Sequence, residues 1–171
     1  YKTPNGKTWY FAPDDPQHPA IIGETEIDGK LYYFDSVAGL IKNGWIHRPS
    51  GSWSWANENG LYHSGWKRMP NGKWFYFDPE EPHHRMLIGV IQISSGSYYV
   101  DENAGMASNT CIQLPTREWT WAQASGALAS GWYTTPNGKT WYFSPAKIGN
   151  PALVGEQTID GKNYYFDENY G

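Results

Sequence analysis

The sequence is short of cysteine, of charge and of long apolar stretches, and each shortage excludes a class of protein. Cys111 is the one cysteine among 171 residues, so no disulfide framework forms within the chain. Charged residues make up only 18%, and the net charge of −4 argues against a basic surface that holds nucleic acid. No apolar run approaches the ~20 residues that span a bilayer, so we expect no membrane span.

Motifs that carry catalysis are also missing. The sequence has no nucleophile elbow, zinc-protease helix motif, phosphate-binding loop or dinucleotide fingerprint. His83 and His84 are adjacent, which is a poor spacing for binding one metal ion from a single element, and no carboxylate or cysteine cluster completes a site. We therefore expect no enzyme activity, no metal and no cofactor in these residues.

Aromatic residues are abundant instead, and they recur at a fixed period. They make up 17% of the chain, including 10 Trp and 13 Tyr, a load that argues against disorder. The tetrapeptide Pro-Asn-Gly-Lys occurs at 4–7, 70–73 and 136–139, and the same offset of 66 residues links Gly65-Trp66 to Gly131-Trp132. The chain therefore divides into super-repeats at 1–66, 67–132 and 133–171.

Each super-repeat divides again into pieces of about 20 residues. A piece has two alternating segments around a turn, such as the Asp28-Gly29 pair or the Pro70–Gly72 loop, which is typical of a β-hairpin. A lone hairpin is marginally stable in water, and short units of this kind stabilise one another by stacking. The pattern predicts an all-β, elongated solenoid of about eight hairpins. We expect residues 1–171 to form a single repeat module and to be a fragment of a longer protein.

The loop lengths predict which rings share a face of each hairpin, because strand residues two apart point to the same side. One predicted set is Trp66, Trp74 and Tyr76, and another is Trp45, Trp53 and Trp55. In the third super-repeat a loop longer by one residue is expected to group Trp132, Trp141 and Phe143.

The order Gly-Trp, turn, Trp-aromatic-aromatic, then a Gly-bearing link resembles the cell-wall-binding (choline-binding) repeats of Gram-positive surface proteins. It is carried by Gly44-Trp45, Gly65-Trp66 and Gly131-Trp132 with the residues that follow them. The hairpins that begin at Gly23, Gly89 and Gly155 lack the Trp. They look like the short repeats of clostridial toxins and of glucan-binding domains.

The resemblance implies binding sites in which two rings of one hairpin and a third ring of the next surround a quaternary ammonium by cation–π attraction. Carried over to this sequence, the best site is Trp45 and Trp53 with Tyr76, and with Tyr62 at the link. Two further sites are Trp66 and Trp74 with Tyr99, and Trp132 and Trp141 with Tyr165. A fourth, Trp119 with Trp141, is expected to be weak or absent because Cys111 replaces its Gly-Trp ring.

The resemblance further implies a non-catalytic module of a secreted protein that is held non-covalently at the cell wall or cell surface. Its partner would be choline-bearing teichoic acid or another cell-wall polymer. Two alternatives remain open at this point. The module could bind a carbohydrate, either a glucan or a host glycan, or it could be a spacer or adhesion rod in which every ring is core.

Overall fold

The computed structural model describes residues 1–169 and 171, and all its regular elements are β-strands. The first unit described below contains β1 (Gly23–Ile27), β2 (Lys30–Asp35), β3 (Gly39–Leu40), β4 (Gly44–His47), β5 (Trp53–Ala56), β6 (Gly65–Arg68) and β7 (Trp74–Phe77). The second contains β8 (Gly89–Ile93), β9 (Gly96–Asp101), β10 (Gly105–Met106), β11 (Thr110–Gln113), β12 (Trp119–Ala122), β13 (Gly131–Thr134), β14 (Thr140–Phe143), β15 (Gly155–Ile159) and β16 (Lys162–Phe166).

Consecutive strands pair as antiparallel hairpins. The sheets are β1–β2–β3, β4–β5, β6–β7, β8–β9–β10, β11–β12, β13–β14 and β15–β16, and an isolated Lys2–Thr8 bridge precedes them. Asp28 and Gly29 form a two-residue turn with φ of 51° and 71°, the left-handed values that such a hairpin requires. Gly72 of the Pro-Asn-Gly loop is also left-handed, with φ of 83°. The predicted all-β hairpin repeat is confirmed.

The chain forms two compact units. The first unit comprises Tyr1–Met69 and Trp74–Leu87, and the second comprises Pro70–Lys73 and Ile88–Gly171. Each unit is described by itself below.

The core of each hairpin is centred on the residue that lies opposite its opening glycine. Phe34 faces Gly23 and Phe77 faces Gly65, and both side chains are at most 2% exposed. These residues bond on their other side to the link that follows, as in the Phe77–Met86 bridge. The residue opposite the glycine is therefore paired on both edges and closed in by its neighbours. The same buried position is held by Ala56, Val100, Phe143 and Phe166.

The hairpin of β13 and β14 corrects one predicted register. Its loop has the same length as the loop between β6 and β7, since Thr134 faces Thr140 just as Arg68 faces Trp74. Trp132 therefore faces Tyr142, and Trp141 faces Tyr133. The prediction that Trp132, Trp141 and Phe143 share a face is wrong. The loops have equal length, but Trp141 stands one residue further along its strand than Trp74 does, and its side chain therefore points to the face opposite Trp132.

The lysine of each Pro-Asn-Gly-Lys turn makes a contact that recurs every 66 residues. Lys7 Nζ donates to the Val37 carbonyl oxygen at 2.7 Å, and Lys73 Nζ donates to the Asn103 carbonyl oxygen at the same distance. Lys139 Nζ donates to the Asn169 carbonyl oxygen in the third super-repeat. Each lysine thus reaches a carbonyl 30 residues further along the chain. The bond ties the Pro-Asn-Gly-Lys turn to the turn that follows β2 in the first super-repeat and β9 in the second.

A polar network joins three hairpins of the first unit. Glu24 forms an ion pair with Arg48, whose Nε lies 3.3 Å from Oε2, and it accepts a hydrogen bond from the Tyr62 hydroxyl at 2.7 Å. His83 Nδ1 lies 2.7 Å from the other carboxylate oxygen. Arg48 also donates to Ser54 Oγ at 2.9 Å and stands over the Tyr62 ring. The side chains of Arg48 and Glu24 are 12% and 24% exposed, so water screens this network only in part.

In the second unit, the positions equivalent to this polar network hold apolar residues. Sixty-six residues after Glu24, Arg48, Tyr62 and His83 stand Val90, Leu114, Leu128 and Gly149. A Cβ at Gly149 would lie 3.0 Å from Leu114 and 3.2 Å from Val90, so these side chains fill the space that the histidine occupies in the first unit. One backbone arrangement therefore accepts either a polar or an apolar core.

We expect Arg48→Met to lower the free energy of unfolding by about 2 kcal/mol, because Glu24 then stays half-buried without its guanidinium. Replacing Glu24, Arg48, Tyr62 and His83 together by Val, Leu, Leu and Gly copies the second unit and should recover most of that loss. Urea unfolding followed by circular dichroism measures both variants. A quadruple variant less stable than Arg48→Met would show that the polar network is worth more than its apolar counterpart.

Candidate functional site

The Trp of each Gly-Trp pair packs edge-on against the ring directly across its hairpin. Trp45 meets Trp55 with centroids 5.3 Å apart, Trp66 meets Tyr76 at 5.0 Å, and Trp132 meets Tyr142 at 5.3 Å. The planes lie at 68° to 86°, which is the edge-to-face geometry that the ring quadrupoles favour. This contact recurs in all three hairpins that carry the motif and is the starting point of the candidate sites.

The first ring cluster lies in the first unit and is centred on Trp45. Besides Trp55, the indole of Trp45 contacts Trp53 at 6.0 Å and an 84° interplanar angle, and it contacts Phe75 at 5.4 Å and Phe77 at 5.9 Å. The last two rings belong to the next hairpin. Trp45 remains 37% exposed, whereas Trp55 and Phe75 are 7% and 4% exposed, so the cluster presents aromatic surface to solvent on one side.

A cation of the protein itself already lies in the first ring cluster. Lys67 Nζ stands 5.1 Å from the centroid of the Trp55 ring, within the range of cation–π attraction. Lys67 is held there by its strand, because it lies directly opposite Phe75 in the β6–β7 pair. The chemistry of this cluster is therefore suited to a positive charge.

The second ring cluster lies in the second unit and is centred on Trp132. Its other members are Tyr142 across the hairpin and, from the next hairpin, Tyr164 at 4.9 Å and Phe166 at 5.6 Å. Trp132 is 46% exposed. Three rings thus surround one half-exposed indole, one from its own hairpin and two from the next, whereas Trp45 has a fourth neighbour in Trp53.

In both clusters the third ring differs by one residue from the expected one. The sequence-based sites used Tyr76 and Tyr165, but the contacts to Trp45 and Trp132 are made by Phe75, Phe77, Tyr164 and Phe166. Because side chains alternate along a strand, Tyr76 and Tyr165 point to the opposite face. Tyr76 packs on Trp66, and Tyr165 is 69% exposed.

Tyr62 does not line the Trp45 site, which is a second correction. Its ring belongs to the apolar cluster of Ile46 and Ala56, and its hydroxyl donates to Glu24. Burial, together with the Glu24 carboxylate, raises the pKa of Tyr62 well above its usual range. Tyr62 is therefore a neutral structural donor in the polar network.

The remaining predicted ligand residues are placed as follows. Trp53 stays with Trp45 as expected and also stacks on His47 at 4.2 Å. Trp74 is 40% exposed and lies opposite Arg68 in the first unit. Tyr99 belongs to the second unit, where it packs on the cluster of Ile112, Ala122 and Leu128.

Cys111 takes the place of the central indole in the hairpin of β11 and β12. It faces Trp121, just as Trp45 faces Trp55. Within the described residues, Trp119, Trp121 and Trp141 make no ring–ring contact, whereas the equivalent rings of the first unit all meet at Trp45. Trp119 is consequently 51% exposed. Burial raises the pKa of the Cys111 thiol.

Residues 1–169 and 171 carry neither a candidate metal site nor a candidate membrane-spanning helix. They contain no group of three or more His, Cys, Asp or Glu side chains that could hold a metal ion. None of their elements is a helix long and apolar enough to cross a membrane.

Sequence reasoning missed Phe75, Phe77, Tyr142, Tyr164, Phe166 and Lys67 as members of the clusters. For Phe75 and Phe77 the signal is present in the sequence, since the Pro70–Gly72 turn predicts the observed register and alternation from Gly65 places both rings on one face. The family resemblance had instead favoured the tyrosine between them. Lys67 carries no signal of its own in the sequence.

The comparisons with known proteins agree with the geometry. The model of the putative cell wall binding repeat matches residues 64–80 and 157–169. The first segment spans β6 and β7, and the second includes β16.

Solved structures with a similar fold include CbpJ and choline binding protein F, both of Streptococcus pneumoniae. Each is 23% identical to this chain, with TM-scores of 0.77 and 0.75 over 96% and 91% of it. A curated relative, glucosyltransferase-S of Streptococcus mutans serotype c, is 26% identical over 99% of the chain. The chain spans 55% and 53% of those structures and 11% of that relative.

Cys111→Trp should fill the place that Trp45 fills in the first unit and raise the free energy of unfolding by about 1 kcal/mol through added ring burial. The reciprocal Trp45→Cys should lower it by about 2 kcal/mol. Thermal unfolding measures both, with Cys111→Ser as the variant of unchanged size. A midpoint that falls for Cys111→Trp would show that the surrounding rings have closed over the gap.

Cys111 is exposed, but partial desolvation raises the pKa of its thiol, so it should react with iodoacetamide more slowly than a free cysteine peptide near pH 7, because the thiolate is the nucleophile. Its rate should continue to rise with pH beyond the midpoint of a free cysteine peptide. Mass spectrometry of timed samples measures both rates. A thiol that reacts faster than the peptide at pH 7 would contradict the expected direction.

Proposed function

We propose, on the premise of the match of residues 64–80 and 157–169 to a cell wall binding repeat, that this chain is a non-catalytic module that binds choline groups of a cell-wall polymer. The binding sites are the ring clusters centred on Trp45 and Trp132. The module acts outside the cell and holds its protein non-covalently at a wall or surface. Teichoic acid that bears choline is the partner with the matching chemistry.

The observation that carries the proposal is the second ring cluster. Trp132 offers a half-exposed indole, and Tyr142, Tyr164 and Phe166 stand around it at 4.9 to 5.6 Å. A trimethylammonium group is attracted by the negative faces of such rings and needs no carboxylate partner. Its methyl groups also gain from burial against them. A neutral sugar gains only from burial against the rings, because it has no positive charge for the ring faces to attract.

The repeat architecture suits a polymeric ligand. A choline group has few atoms, so a single site binds it weakly. Several ring clusters on one chain gain affinity together when the ligand carries choline at intervals, because each bound group raises the effective concentration of the next. Choline binding protein F, whose fold is similar, has also been crystallised in the presence of a peptidoglycan analogue, which supports a cell-wall partner.

A carbohydrate ligand is the second candidate, favoured by two observations. The match to glucosyltransferase-S runs over 99% of this chain. Trp119 is 51% exposed and lies opposite Gln113, so an indole face and an amide stand together for a sugar ring and its hydroxyls. The two candidates place their ligands on different tryptophans, which allows one pair of variants to separate them.

Millimolar choline should raise the thermal midpoint and change the Trp fluorescence, since a ligand that binds the native state stabilises it. Trp132→Leu should weaken that response about tenfold at the second ring cluster. Trp119→Leu is the matched control and should leave it unchanged. Isothermal titration with choline chloride measures the affinities.

Dextran oligosaccharides serve as the second probe in the same titration. If they bind the unaltered chain, if Trp119→Leu removes that binding, and if choline has no effect, then the carbohydrate function replaces the proposed one. If neither probe acts, both candidates fail and the rings are core only.

A further inference from the structure

We propose that Lys67 is an internal occupant of the first ring cluster, so that an external quaternary ammonium binds the second ring cluster in preference. The inference rests on the proposed function and adds to it a rule for which cluster is receptive. It is drawn from a comparison of the two clusters, residue by residue, within this chain.

The position of Lys67 is set by strand register. In the first ring cluster Phe75 contacts Trp45, and Lys67 lies directly opposite Phe75. From there its ammonium reaches the Trp55 ring at 5.1 Å. Trp55 is the ring that faces Trp45 across the hairpin, so the lysine ammonium occupies one of the faces that would hold a choline headgroup.

The equivalent position in the second ring cluster holds a neutral side chain. Tyr164 contacts Trp132 there as Phe75 contacts Trp45, and the residue directly opposite Tyr164 is Gln157. The Gln157 amide donates to the Val154 carbonyl oxygen at 2.8 Å. The second ring cluster therefore presents an indole flanked by three rings, and it has no positive charge at the position of Lys67.

Gln157 and Tyr164 also line an open space. A surface cavity of about 530 Å³ is lined by Glu156, Gln157, Thr158, Asn163, Tyr164 and Tyr165. Glu156 is the one charged side chain among these residues, and it lies opposite Tyr165 on the other face of the hairpin. The cavity beside the position that corresponds to Lys67 is therefore lined by no positive charge.

Two effects follow from the charge at residue 67. A tethered ammonium is present at an effective concentration far above that of a free ligand, so it competes for the ring face. A like charge that stays nearby also repels any cation that enters beside it. Removing the charge from the first ring cluster should open it, and adding one to the second should close it.

The test exchanges these two side chains. Lys67→Gln copies the second cluster into the first and should tighten choline binding there about tenfold. Gln157→Lys should weaken binding at the second cluster by a similar factor. Lys67→Arg keeps the charge, and Lys30→Gln removes an exposed lysine elsewhere in the first unit, so both should leave the affinities unchanged. Indole N–H signals of ¹⁵N-labelled Trp45 and Trp132 report each cluster separately during a titration with choline chloride.

A second measurement reads the lysine itself without a ligand. Reductive ¹³C-methylation labels every lysine, and the methyl signal lost in Lys67→Gln belongs to Lys67. We expect this signal upfield of the other lysines because of the Trp55 ring current, and we expect choline to move it toward them. A Lys67 signal that coincides with those of exposed lysines would overturn the inference.

The outcomes separate this inference from the proposed function. If the unaltered chain binds choline and Lys67→Gln binds it no more tightly at Trp45, the inference is wrong and the function stands. If the Lys67 signal is upfield but neither cluster responds to choline in any variant, the proposed function is wrong and Lys67 remains only a structural occupant.

Discussion

A hairpin of about twenty residues is too thin to bury its own aromatic side chains, so each hairpin needs its neighbours to cover them. The residue opposite each opening glycine is buried because neighbouring strands pair with it on both sides, as Phe77 pairs with Gly65 and with Met86. The Trp after the glycine is not enclosed in this way. The indole of Trp45 packs on two rings of its own hairpin and two of the next, that of Trp132 packs on one and two, and each keeps an exposed edge. The same half-burial that stabilises the repeat therefore creates its aromatic surface.

The fold was predictable because every signal that specifies it is local. The period of 66 residues, the left-handed Asp28-Gly29 turn and the loop at Gly72 are determined within a few residues of one another, and all were read correctly. The ring sites were only half predictable. The central indoles Trp45 and Trp132 follow from the motif, but their partners depend on how one hairpin meets the next, and an error of one residue exchanges the faces of a strand. That is why Tyr76 and Tyr165 were expected where Phe75 and Tyr164 are found.

The hairpin of β13 and β14 shows the same limit on what the sequence predicts. An alignment of Trp141 with Trp74 predicts a longer loop, but the two hairpins have loops of equal length and Trp141 lies in register with Phe75. A residue type that recurs along the sequence is thus weaker evidence for strand register than a turn sequence that recurs. The turn fixes the register by backbone geometry, whereas a bulky ring is accepted on either face of a thin ribbon if a neighbour covers it.

Repetition of the backbone does not imply repetition of chemistry, and the two units of this chain demonstrate the point. The first unit supports Glu24, Arg48 and His83 as a bonded group where the second has Val90, Leu114 and Gly149. The ring clusters vary in the same manner, since Lys67 and Gln157 stand at one position and Trp45 and Cys111 at another. None of these substitutions alters the strand pairing, because none of them is at the buried position opposite an opening glycine. Variation at such positions can therefore set which clusters accept a cation while the core stays the same. Under the proposed function, counting motif copies overestimates the number of receptive sites, and the side chain opposite the third ring has to be compared at each hairpin.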